Sequence, residues 1–78
     1  MTNKVFSERL NHSLNEIGMP ERIEERVATF SKIFKTPKFK SQEILNGNLI
    51  PDTELLQKLA DELEVSTAWL LGKDRVRH

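Results

Sequence analysis

Lys35, Lys38 and Lys40 stand within six residues of one another in the stretch FKTPKFKSQEILNG, Phe34 to Gly47, with Phe39 between the last two and no acid before Glu43. Ammonium groups gathered this closely suit the binding of a polyanion, with an interleaved aromatic ring free to meet something apolar. The same lysines also suit an ordinary solvated face, and charge alone does not separate the two. Other chemistries lack their residues. The chain has no cysteine, so a disulfide, a thiolate metal site and a cysteine nucleophile are excluded. His12 and His78 are isolated, and no metal site is expected. No activated nucleophile, paired-carboxylate dyad or glycine-rich phosphate loop stands out, so the chain is read as neither an enzyme nor a holder of a cofactor or small-molecule substrate.

The net charge of zero conceals an uneven distribution. Residues 1–25 carry three basic and five acidic side chains; residues 26–40 carry five basic (Arg26, Lys32, Lys35, Lys38, Lys40) and none acidic. Residues 41–64 carry one basic and six acidic, and residues 65–78 three and one. One basic segment in an acidic body favours presenting a single face to a polyanion. Seventy-eight residues suit one domain. The opening MTNKVFSERL lacks the apolar core of a signal peptide, and no stretch approaches the roughly 20 apolar residues of a membrane span. A cytoplasmic location is expected.

Hydrophobic spacing sets the elements that must position these side chains. Phe6, Leu10, Leu14 and Ile17 recur at helical intervals, and Gly18 suits the stop. Pro20 suits the opening position of a second helix with Ile23, Val27, Phe30 and Phe34 on its apolar face. A loop over MPERIEE, with that helix starting near Arg26, is the alternative. Pro37 biases Thr36 away from the helical region, which ends the second helix. It also suits the first turn of a third helix capped by the Thr36 hydroxyl. That helix runs to about Leu45, turns Ser41, Ile44 and Leu45 inward, and ends at Asn46-Gly47. Asp52 caps a fourth helix with Leu55, Leu56, Leu59, Ala60 and Leu63 as its stripe. Ser66 caps a short last helix, TAWLL, closed by Gly72, with Val65 and Leu70 as a hydrophobic staple. Nothing alternates with period two, so the expected class is all-α, five helices and no sheet.

Only Lys35 to Pro37 separate the second and third helices. So short a turn joins helices at a steep angle, the helix-turn-helix arrangement, whose second helix enters the DNA major groove with its N-terminal residues against base edges. Here these are Lys38, Phe39, Lys40, Gln42 and Glu43, at the helix end where the dipole and free N–H groups favour anions.

From Arg9 to Gly72, about four-fifths of the chain, the sequence resembles the DNA-binding domain of the Cro and phage-repressor (XRE-type) helix-turn-helix family. The resemblance is carried by Arg9-Leu10 followed by Gly18, by RVATFSKIFKTPKFKSQEILNG, by NLIPDTELLQKLADELEVS and by TAWLLGK. A leucine-rich helix, a valine-serine pair, then WLL and glycine is its most specific part. Lys35 replaces the glycine usual at the turn, Ser31 is the small residue of the second helix, Ile44 replaces an aromatic, and the connection from Gly18 to Arg26 is long. If Lys35 takes the left-handed conformation of that glycine, it does so at a cost of about 1 kcal/mol.

The resemblance implies a lambda-repressor-like five-helix domain over residues 1–72 with a tail at 73–78. It further implies a sequence-specific transcriptional regulator, a phage or prophage Cro-like protein or repressor domain, acting as a weak homodimer on a palindromic operator in double-stranded DNA. Its expected DNA contacts are Arg26, Lys35, Thr36, Lys38, Phe39, Lys40, Gln42, Glu43, Asn46 and Asn48. Phe39 packs on a thymine methyl or folds back on the core; Glu43 accepts from a cytosine amino group or repels phosphates. Arg26 meets the phosphate backbone or pairs with a local glutamate. Asn46 and Asn48 hold the backbone or serve the turn. Trp69, Leu70 and Leu71 form the dimer contact, with Trp69 alternatively closing the core. Two rivals are an antitoxin of a toxin–antitoxin pair and a helix-turn-helix interaction module that has lost DNA binding.

Overall fold

The structure, a computed structural model, describes residues 4–73. Beyond Lys73, the expected tail, including His78, lies outside the described residues. Five helices follow in order: α1 Lys4–Glu16, α2 Ile23–Phe34, α3 Lys38–Asn46, α4 Thr53–Leu63 and α5 Thr67–Leu70. No strand occurs among the described residues.

The core takes the inward side chains of every helix. Phe6, Leu10 and Leu14 come from α1, Val27, Phe30 and Phe34 from α2, and Ile44 and Leu45 from α3. Leu56, Leu59, Ala60 and Leu63 come from α4, and Leu70 from α5. Phe30 and Phe34, one turn apart, pack with ring centroids 4.8 Å apart at 45°, a favourable tilted pair. α3 packs on both α2 and α1, and α5 closes the far side against α1 and α4. A helix as short as α3 is not stable alone in water, so these neighbours hold it.

All five helices stop in the same way. A left-handed residue follows each one: Gly18, Lys35, Gly47, Glu64 and Gly72. The next N–H then reaches back five residues, as in Met19 to Leu14 O (3.0 Å), Thr36 to Ser31 O (3.1 Å) and Asn48 to Glu43 O (2.9 Å). Three of these positions use glycine, and two do not. A side chain in the left-handed region costs about 1–2 kcal/mol, while glycine costs about 0.4–1 kcal/mol in unfolded-chain entropy. Lys35→Gly is therefore expected to stabilise the fold by about 0.5–1 kcal/mol, raising Tm by about 2–8 °C in a domain of this size. An unchanged or lower melting temperature would contradict the strain ascribed to Lys35.

The structure corrects four expectations about the helices. Ile17 follows the end of α1 and is 55% exposed, on the rim of an open groove with Leu63, Val65 and Trp69 rather than in the core. Ile23 opens α2 and is 46% exposed, so its apolar spacing does not place it in the core. Pro20 does not open α2, which begins at Ile23, between the two expected starts. In the connection that precedes it, the Pro20 carbonyl accepts from the Arg26 side chain at 2.7 Å instead of from a helical N–H. Thr36 does not cap α3: its hydroxyl donates to Phe34 O at 3.0 Å, and Pro37 takes the capping position without a side-chain bond. Asp52 and Ser66 do cap α4 and α5, accepting from Leu55 N and Trp69 N.

Candidate nucleic-acid interface

α3 is anchored at both ends by hydroxyl and amide side chains. Under its first turn, Ser41 is fully buried, and its Oγ donates to Pro37 O at 3.0 Å, with Thr36 O at 3.4 Å. The Ser31 hydroxyl of α2 donates to Thr36 O, tying the turn back to α2. At the other end, Ser7 Oγ and Asn11 Nδ2 of α1 donate to Leu45 O at 2.9 and 3.0 Å. That carbonyl is among those a helix C-terminus leaves without an intrahelical partner.

With one face of α3 held by Ser41, Ile44 and Leu45, the opposite face is fixed outward. At 100° per residue, Lys38, Gln42, Asn46, Phe39 and Glu43 share an arc of about 140°, and all five are exposed. Phe39 is 68% exposed, more than Val5, Ile17, Ile23 or Ile33, the other exposed large hydrophobics among the described residues. On the α2 side, Lys38 and Gln42 border a groove of about 220 Å³ with Ile23, Glu24 and Val27. Lys40 lies off this arc. It is half-buried and lines a second groove of about 190 Å³ with Lys35, Asp52, Glu54 and Lys58. Lys35 and Asn48 are exposed at the two ends of the helix.

The ion pairs among the described residues are Lys4–Glu8 (3.9 Å), His12–Glu16 (3.6 Å, when the histidine is protonated) and Arg22–Glu25 (4.0 Å). None involves Lys32, Lys35, Lys38 or Lys40, so these ammonium groups have no carboxylate within 4.0 Å among the described residues. An incoming anion meets them without first displacing a partner.

Three expected site residues are placed elsewhere. Arg26 is 4% exposed. Its Nε donates to Pro20 O (2.7 Å) and its Nη1 to Asn11 Oδ1 (2.9 Å) and Asn11 O (3.4 Å), while Nη2 donates to Asn15 Oδ1 and Met19 O. Neither a phosphate nor a glutamate is its partner: every N–H of the guanidinium is directed at a neutral oxygen of α1 or the connection. Thr36 is buried with its hydroxyl turned inward, so it offers nothing to DNA. Leu70 is fully buried and belongs to the core rather than to a dimer surface. Trp69 and Leu71 remain half-buried.

Spacing alone does not reveal several supporting residues. Asn11 accepts from Arg26 and donates to Leu45 O, so the buried arginine acts on α3 through one amide. Arg9 lies 4.9 Å from the Trp69 ring centroid and donates to Trp69 O at 2.6 Å, fastening α5 to α1. One signal was present: Arg26 sits between Ile23 and Phe30 on the apolar side of α2, an unusual place for a solvated charge.

Among the described residues no group of three His, Cys, Asp or Glu side chains is placed to hold a metal ion, and no helix is long and apolar enough to cross a membrane. Compared with protein-family models, with curated proteins and with solved structures, the chain matches none.

Proposed function

We propose that the chain is a sequence-specific double-stranded DNA-binding transcriptional regulator in which α2 and α3 act as a helix-turn-helix. The observation that carries the reading is the outward arc of α3, which sets Lys38, Phe39, Gln42, Glu43 and Asn46 on one exposed face of a helix anchored at both ends. An α-helix about 10–12 Å across fits a major groove about 12 Å wide. Lys38 and Gln42 donate to base acceptors, Glu43 accepts from a cytosine amino group, and Lys32, Lys35, Lys40 and Asn48 approach phosphates. Occupying a promoter suffices for repression, so no catalytic group is needed.

A single nine-residue helix meets too few base pairs for useful discrimination. A two-fold homodimer doubles the contacts and requires a palindrome with half-sites about one helical turn apart. The second copy docks on Trp69 and Leu71, continued by the exposed Ile17 and the half-buried Val65, which border one groove with Trp69. Selection from random duplexes is the test. Enrichment of such a palindrome is expected. A single unrepeated half-site contradicts the dimer, and no enrichment at all contradicts DNA recognition and favours a protein-interaction module.

A further inference from the structure

We propose that Phe39 is a specificity-determining residue that reads the C5-methyl group of a pyrimidine in the major groove; this deepens, and rests on, the DNA-binding reading above. Phe39 stands in the first turn of α3 with 68% of its surface exposed, within the outward arc between Lys38 and Glu43. It has been left out of a core that takes three other phenylalanines, Phe6, Phe30 and Phe34, almost completely. No packing within the fold explains a ring at that position.

The chemistry of the groove narrows what the ring meets. A benzyl group neither donates nor accepts an ordinary hydrogen bond, so phosphate oxygens and polar base edges gain nothing from it. Set against a base amino or carbonyl group, it strips water and returns no partner, which is unfavourable. Among the four ordinary bases, the only apolar group on the major-groove edge is the thymine C5-methyl. The ring therefore favours a methyl and disfavours a bare polar edge, and discrimination arises from both. 5-Methylcytosine presents the same group at the same ring position, so the site accepts either source. The polar neighbours Lys38, Gln42 and Glu43 set the register that brings one pyrimidine under the ring.

The experiment uses the duplex enriched from random sequences. Each thymine of the palindrome is replaced in turn by deoxyuridine, which removes a methyl and leaves pairing unchanged. Binding is measured by fluorescence anisotropy for the wild-type chain, F39L and F39A. At one position per half-site the wild type is expected to lose about fourfold in affinity, the effect of one buried methyl-sized group. F39A is expected to bind thymine and uracil there equally, and F39L to keep part of the preference. At the same position 5-methylcytosine should be preferred to cytosine by a similar factor, and only while the aromatic ring is present. Thermal melts accompany the titrations: an exposed ring predicts a melting temperature little changed in F39A, and a large fall places the ring in the core and overturns the inference. Salt-sensitive binding that distinguishes thymine from uracil nowhere, or discrimination that persists in F39A, also overturns it while leaving the DNA reading intact. Failure to bind any duplex removes the DNA reading itself.

Discussion

Replacing Arg26 by alanine is expected to destabilise the fold by about 3 kcal/mol, through the hydrogen-bond acceptors left behind. The guanidinium is 4% exposed and donates to Asn11, Asn15, Met19 and Pro20, which lie in α1 and in the connection leading to α2. Burying an unpaired charge is costly, and here the cost is offset only because every N–H has an oxygen to meet. Truncation leaves the Pro20 and Met19 carbonyls and the Asn11 amide without their donors. A domain of this length has about 4–12 kcal/mol of stability in all, so the loss is a large fraction. Tm should fall by about 12–24 °C, measured by circular dichroism. Lysine should not rescue it, since one ammonium lacks the planar fork that spans several acceptors at once. A melting temperature within about 4 °C of the wild type would show that the network adds little.

Much of this architecture was readable because its signals are local. Asp52 and Ser66 cap the helices that follow them, and glycines end α1, α3 and α5. The bounds of α3 are written in Pro37 and Gly47, which places Lys38, Phe39, Gln42 and Glu43 from position alone, whereas Lys40, expected beside them, lies half-buried in another groove. What stayed hidden depends on contacts distant in sequence. Ser7 and Asn11 reach Leu45 across 38 and 34 residues, and Arg9 reaches Trp69 across 60. Ile17 and Ile23 match the apolar period of their helices, yet both lie at helix ends where neighbours do not cover them. The charge of Arg26 suggests an exposed contact, whereas its place on the apolar side of α2 buries it. The Thr36 hydroxyl suggests a cap from sequence, but the backbone of the turn decides that it meets the Phe34 carbonyl.

The lysines of α2, the turn and α3 carry the second large effect. Each phosphate neutralised by a protein cation releases counterions, so the affinity of a dimer with several such contacts should fall steeply with salt. The expected log–log slope lies between about −3 and −8, a loss of at least about 60-fold between 50 and 200 mM salt. Lys32→Ala and Lys40→Ala, if these groups meet only phosphate, should weaken binding to all sequences alike and reduce the slope by about one each. Lys38→Ala behaves differently, because Lys38 lies on the outward arc. It should cost about 1–3 kcal/mol on the selected duplex and relax preference at one base pair. None of the three should disturb folding by more than about 0.5 kcal/mol.

The salt dependence of binding to the selected duplex and to a scrambled one, measured side by side, tests the central proposal most directly. Steep slopes on both, with tighter binding to the selected duplex at every salt concentration, are the expected result. A slope near zero on every duplex would contradict the proposal that this face of α3 meets DNA.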